Sequence, residues 1–159
     1  VIGINSQIRS SSGSGSGVGF AVSVNTIKHS LEQLRDGGSV DYAFLGVSTA
    51  DVYPQLGERF KLGTPRGAWV QEISKGGPAD DAGLQGGGGR SARFQAQSYE
   101  TGGDVIVAVG GHKVSDAQEL ATALDPLRPG QETQVEIVRD GKHKTLSVRL
   151  GERPKSSGG

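Results

Sequence analysis

The sequence predicts an α+β domain over roughly residues 40–151, preceded by a separate β-hairpin and a short linking helix within residues 1–38. Three observations carry this reading. Val135 and Ile137 alternate with polar residues on one arm, and Leu146, Val148 and Leu150 do so on another. Asp140-Gly141 lies between the arms, a strong hairpin signal. Ala117, Leu120, Ala121 and Leu124 recur at helical spacing instead. Glycine and proline punctuate the intervals between such runs, as turns in a compact domain require.

Each element follows in chain order. Val1 to Ile8 and Gly17 to Val22 form two strands joined by the Ser/Gly-rich loop Ser10 to Gly17. Two strands alone are marginal in water, so this hairpin implies a sheet partner supplied elsewhere. Asn25 can cap a helix with Ile27, Leu31 and Leu34 on one face, which Gly37-Gly38 stops. Tyr42 to Thr49 reads as a strand, and Val52 to Phe60 as a short helix interrupted early by Pro54. Gly67 to Ile73 is a second strand, and Pro78 opens a one-turn helix ending at Gly83. Asp104 to Val109 is an apolar strand closed by Gly110-Gly111. Ser115-Asp116-Ala117-Gln118 fits a capping box ahead of the Ala117–Leu124 helix. Residues 85–103 interrupt this order as an insertion whose Phe94 and Tyr99 are expected to pin it to the surface. Residues 152–159 form a polar tail.

Composition narrows the function classes. The 17 basic residues balance the 17 acidic ones, so no global field favours nucleic acid or an anionic membrane. No apolar run approaches the ~20 residues that span a bilayer, and no secretory signal is visible. The chain has no cysteine, which excludes disulfides and thiolate metal sites. It also has no methionine, so the expectation is a piece of a longer protein. His29, His112 and His143 fall in a helix, a Gly-Gly turn and a lysine-flanked hairpin, with no spacing suited to a shared metal. No metal or cofactor is implied.

Residues 42–150 resemble a PDZ domain of the bacterial type found in HtrA-like serine proteases. The resemblance lies in Tyr42-Ala43-Phe44-Leu45-Gly46-Val47, Gly67-Ala68-Trp69-Val70, Gly77-Pro78-Ala79, Ala82-Gly83-Leu84, Gly103-Asp104-Val105-Ile106 and Gly110-Gly111-His112-Lys113-Val114. It implies a small antiparallel β-barrel or sandwich with two helices. The insertion is the departure, because the family runs from the Ala-Gly-Leu turn to Gly-Asp-Val within a few residues. Residues 1–38 are similar to the end of the trypsin-like barrel of the same family. Val1–Ile8 matches the strand after the nucleophile loop, and Gly17–Val22 with Asn25-Thr26-Ile27 matches the last strand entering the terminal helix. Ser23 stands where the family commonly has proline.

The resemblance implies a C-terminal part of an HtrA-like serine endopeptidase in protein quality control, working outside the cytoplasm, with a parent trimeric through its protease domain. A serine protease needs a nucleophile, a base and an orienting carboxylate together. The family's Gly-Asn-Ser-Gly-Gly motif is absent from this sequence, and Gly13-Ser14-Gly15-Ser16-Gly17 resembles it only in composition. No catalytic residue is therefore assigned here. Ser6, Gln7 and Ile8 match the edge that pairs with substrate, and Val18 and Gly19 the wall of a specificity pocket. In the PDZ part, Phe44, Leu45, Gly46 and Val47 match a carboxylate-binding loop, and Val47, Ser48 and Thr49 a pairing edge. Leu120, Ala121 and Leu124 match the facing helical wall. Alternation alone would let these residues simply complete the core; the resemblance assigns them to a groove for C-termini or extended segments of unfolded proteins. The alternative is a non-catalytic PDZ adaptor that binds peptides only.

Overall fold

A computed structural model describes residues 3–10, 17–23 and 42–152. The chain divides into two units, Val1–Asp41 and Tyr42–Gly159. The first holds β1 (Gly3–Ser10) and β2 (Gly17–Ser23), paired antiparallel with Ile8 opposite Gly19 and Arg9 opposite Val18. Ser6 is the unmatched residue of a bulge, because Asn5 faces Ala21 and Gln7 faces Phe20. The helix expected from Asn25 to Gly37, residues 11–16 of the expected loop and residues 153–159 of the expected tail lie outside the described residues.

The second unit is built on a six-stranded antiparallel sheet. Its strands are β4 (Val47–Val52), β5 (Gly67–Ile73), β8 (Val105–Val109), β9 (His112–Lys113), β10 (Glu132–Arg139) and β11 (Lys142–Arg149). The order is β11-β10-β8-β5-β4, with β9 paired to β8, so β4 lies at an edge. The short strands β3 (Ala43–Phe44) and β12 (Gly151–Glu152) pair with each other, and β6 (Ser91–Phe94) pairs with β7 (Gln97–Glu100). Three helices complete the unit: α1 (Pro54–Phe60), α2 (Pro78–Asp81) and α3 (Ala117–Leu124).

The sheet is covered on both faces, which explains why β8 reads as an unbroken apolar run and β5 begins as one rather than alternating. Successive strand residues point to opposite faces. Ala68 and Val70 enter one core with Leu45, Ile106, Val109, Leu120, Val135, Ile137, Val148 and Leu150. Trp69, between them, enters a second core with Val52, Leu56, Tyr99, Val105 and Val138. Residues of α2 and α3 belong to the first core, and residues of α1 and the β6–β7 hairpin belong to the second.

That second core gives the insertion its place. Tyr99 is buried and stacks on Trp69 with centroids 5.7 Å apart, while Phe60 meets Trp69, Tyr99 and Phe94 at 5.2, 6.0 and 6.3 Å. Both aromatics that the sequence offered as anchors therefore anchor, Phe94 against Phe60 and Tyr53, Tyr99 in the core. At the stem, Asp104 is fully buried and accepts from Arg139 Nε at 2.6 Å and Nη2 at 2.7 Å and from the Gln85 amide at 2.8 Å. Arg139 Nη2 also donates to the Gly83 carbonyl at 2.8 Å. Hydrogen bonding to Asp104, the largest cause, outweighs desolvation and holds Arg139 above its already high ordinary pKa. Gly103 is required beside this pair, since a Cβ there would overlap the Val70 carbonyl oxygen.

Four expectations change in detail. The strand expected over Tyr42–Thr49 is two strands, because Leu45 and Gly46 turn between them and Gly46 adopts φ +80°. The helix expected from Val52 begins at Pro54, as Val52 finishes β4 and proline suits a first helical position. The cap of α3 is Asp116 rather than Ser115: its side chain accepts from Glu119 N at 2.8 Å, and Glu119 reaches back to Ser115 N at 2.8 Å. Glu152, expected in the polar tail, pairs with Ala43 as part of β12.

Candidate functional site

A groove of about 230 Å³ runs between β4 and α3. Its lining on one side is Tyr42, Ala43, Phe44, Leu45, Gly46, Val47 and Thr49, and on the other Ala117, Leu120, Ala121, Leu124 and Asp125. The helix presents this face because Ala117, Leu120, Ala121 and Leu124 are spaced at three and four residues. Asp125 keeps helical dihedrals at the cap, and Pro126, which has no N–H to continue the helical hydrogen bonds, follows at once and ends the wall. Leu45 and Leu120 are 2% and 5% exposed and belong to the first core, so they complete the core and form the floor of the groove together. Ala121 is exposed on the wall and Leu124 half-buried.

The loop before β4 has a defined polarity. The Leu45 carbonyl accepts from Ala79 N at 3.0 Å, and the Gly46 carbonyl accepts from Ser74 N at 2.9 Å. In a trans peptide the N–H points opposite to the carbonyl of the same plane, and the described backbone holds no cis bond. Tying both carbonyls back toward α2 and the end of β5 therefore turns the Gly46 and Val47 amides the other way. Among the described residues Gly46 N donates to no backbone carbonyl. A Cβ on Gly46 would meet only ordinary contacts at 3.4 Å and beyond, so its positive φ, not space, calls for glycine.

The groove carries no basic side chain among its lining residues, and its one ionisable acid is Asp125. An anionic group entering it would be held by backbone amides alone, as in other anion-binding loops of successive N–H groups. Beside this, β4 is an edge strand among the described residues and presents the open hydrogen-bonding row of one. Val47 and Thr49 face the groove, while the Ser48 side chain is exposed and its backbone lies opposite Glu72 of β5. Groups of histidine and acid able to hold a metal are absent among the described residues.

The family model for the PDZ domain matches residues 43–150. This chain belongs to the PDZ-domain family. Over its whole length it is also similar to HtrA-type proteases. A probable periplasmic serine endoprotease, DegP-like, of Hahella chejuensis (strain KCTC 2396) is 36% identical over 159 residues, covering 100% of this chain and 30% of that protein. A probable periplasmic serine endoprotease, DegP-like, of Ectopseudomonas mendocina (strain ymp) is 35% identical over 154 residues, 97% of this chain and 29% of that protein. The solved structure of the HtrA-type protease AlgW with decapeptide superposes with a TM-score of 0.71 at 29% identity, covering 97% of this chain and 42% of that one. The chain thus spans less than a third of the length of these two DegP-like relatives.

Of the residues singled out from sequence in the PDZ domain, Phe44, Leu45, Gly46, Val47, Thr49, Leu120, Ala121 and Leu124 come together around one groove, and Ser48 lies on its edge strand. Ser6, Gln7 and Ile8 lie on β1 and Val18 and Gly19 on β2, in the other unit. Sequence reasoning left out four lining residues: Tyr42, Ala43, Ala117 and Asp125. Ala117 was already on the apolar face of the helix, and Tyr42 is the exposed large apolar residue of the described part, 43% exposed at the mouth. Asp125 carried no signal, since an acid after a helix reads as a solvated end.

Proposed function

We propose that this chain is the peptide-recognition part of an HtrA-like serine endopeptidase of protein quality control, working outside the cytoplasm. Its groove takes the C-termini or extended apolar segments of unfolded proteins. The occupant adds as a strand to the free edge of β4, places an apolar side chain over Leu45, Leu120 and Leu124, and offers its terminal carboxylate to the Gly46 and Val47 amides. The observation that carries this reading is the pair of tied-back carbonyls at Leu45 and Gly46, which aims two donors away from the core, with no basic residue among those that line the groove. A volume of about 230 Å³ suits one or two side chains rather than a whole small-molecule ligand. The peptide in the AlgW structure supports the ligand class, and the relatives' names support protease and compartment. Catalysis belongs to the parent enzyme, because the family's nucleophile motif is not in this sequence.

Titrating a fluorescent peptide with an apolar last residue, as free acid and as C-terminal amide, tests the carboxylate assignment. Hydrogen bonds to a charged acceptor contribute about 1.5–3 kcal/mol each. Losing the charge should therefore weaken binding at least about tenfold. Equal affinity for the two forms would remove the loop's proposed role.

A further inference from the structure

Just beyond the lining residues Thr49 and Ala117, Asp51 bridges the strand and the helix. Along β4, Val47, Thr49 and Asp51 point toward α3, whereas Ala50 and Val52 pack into the core on the opposite face. Asp51 Oδ1 accepts from the backbone N of Ala117, the first residue of α3, at 2.8 Å. This bond spans from strand to helix across 66 residues of sequence. The groove's lining stops at Thr49 on the strand and at Ala117 on the helix, the last positions before the bridge. Ala117 N is one of the amides that a helix leaves without an internal partner, so Asp51 serves as a cap delivered from the strand. The neighbouring cap, Asp116 to Glu119 N at 2.8 Å, lies within the helix's own chain and does not cross the groove.

We propose that Asp51 sets the length of peptide that the groove reads. This rests on the peptide-binding reading above. A peptide added to β4 directs every second side chain toward α3. Starting from the pocket floored by Leu45 and Leu120, these are its last, third-last and fifth-last residues. The first two meet open groove, beside Val47 and Thr49. The fifth-last arrives opposite Asp51, about 6.6 Å beyond Thr49 at ordinary strand rise, where the bridge fills the space between strand and helix. Selectivity therefore ends with the third-last residue, and side chains further upstream ride over the bridge into solvent. Asp51 is a positioning residue: it acts by holding α3 against β4, not by contacting the apolar side chains being read.

The test uses eight-residue fluorescent peptides with a common apolar C-terminus, carrying Gly, Leu or Phe at the fifth-last position, and a second set varied in the same way at the third-last. Affinities are measured by anisotropy for the unsubstituted chain, Asp51→Asn, which keeps an oxygen acceptor for Ala117 N, and Asp51→Ala, which does not. The expected result is that the unsubstituted chain and Asp51→Asn bind all three fifth-last variants within two-fold, while discriminating at the third-last position. Asp51→Ala should separate the fifth-last variants by three-fold or more, favouring Leu and Phe. Discrimination of three-fold or more at that position by the unsubstituted chain overturns the proposal. So does an Asp51→Ala profile as flat as the parent's, or an Asp51→Asn profile like that of Asp51→Ala. Failure of the groove reading itself looks different: no apolar-ended peptide binds any of the three proteins.

Discussion

Replacing Arg139 by methionine isolates the polar contact that fixes the stem of the insertion. The substitution keeps a long apolar side chain but deletes two charge-assisted hydrogen bonds to Asp104, of 2.6 and 2.7 Å, and one of 2.8 Å to the Gly83 carbonyl. Asp104, with no exposed surface, would then hold its negative charge on the single bond from Gln85 N. Removing one partner of a buried pair costs about 3–5 kcal/mol, against a total of about 5–15 kcal/mol for a domain. Most of that cost is the stranded charge rather than the lost bonds. Adding Asp104→Asn to Arg139→Met should therefore recover more than half of it, because the side chain is then neutral and its amide oxygen still accepts from Gln85 N. Urea unfolding followed by Trp69 reports the effect directly, since the chain has one tryptophan and it is buried in the core under the insertion. A loss below about 1 kcal/mol for Arg139→Met, or a double variant less stable than the single, would refute the stranded-charge reasoning.

Two further outcomes follow from the same geometry. Asp125→Asn should tighten binding of free-acid peptides about two- to five-fold at low salt and leave amidated peptides unchanged, because an exposed acid on the groove wall opposes an incoming carboxylate. The gain should shrink as salt rises, and an equal gain for the amide would point to packing instead. Burial chiefly, with a further contribution from the Tyr53 hydroxyl, raises the Tyr99 phenol above its ordinary 10.0. The folded state therefore favours the protonated phenol, and its contribution is fully present below pH 10.0 and is lost as pH rises through the higher folded value. Urea midpoints should fall above that pH for the unsubstituted chain and fall less for Tyr99→Phe, which at neutral pH loses the 2.7 Å bond to Gln97 Oε1, about 0.5–1.5 kcal/mol.

Legibility in the sequence tracked how local the determinant is. Gly67–Ile73, the Asp140-Gly141 hairpin and the helix from Ala117 to Leu124 were readable because periodicity and turn chemistry act over a few residues. The break at Leu45-Gly46 was not, because it depends on Ala79 N and Ser74 N, some thirty residues away, holding two carbonyls inward. The shift of the α3 cap from Ser115 to Asp116 has a related cause. Both residues can cap, and the arrival of Asp51 at Ala117 N comes from a strand 66 residues distant. The groove's residues could be named in advance only through the family resemblance, since Leu45 and Leu120 satisfy the pattern of core residues and are core residues.

The two-faced sheet also decides what the insertion is for in physical terms. Trp69 points away from the groove, and a bare indole on an outer face would expose one of the largest apolar surfaces in the chain. Tyr99, Phe94 and α1 cover it, and Trp69 Nε1 finds an acceptor in the Gly103 carbonyl at 3.1 Å, at the foot of the same insertion. The insertion also meets the sheet at Gln71, the unmatched residue of β5 opposite the Ser48–Thr49 step. Gln71 Oε1 accepts from Glu100 N at 2.7 Å, and its carbonyl accepts from Gly87 N at 2.9 Å. Because Val70 and Glu72 flank that bulge and lie opposite Thr49 and Ser48, the insertion braces β5 behind the edge strand without adding a lining residue to the groove. Its sequence is thus free to differ from that of related domains so long as it supplies two aromatics and the Gly103 carbonyl beneath Trp69, which separates the residues that line the groove from those that close the second core.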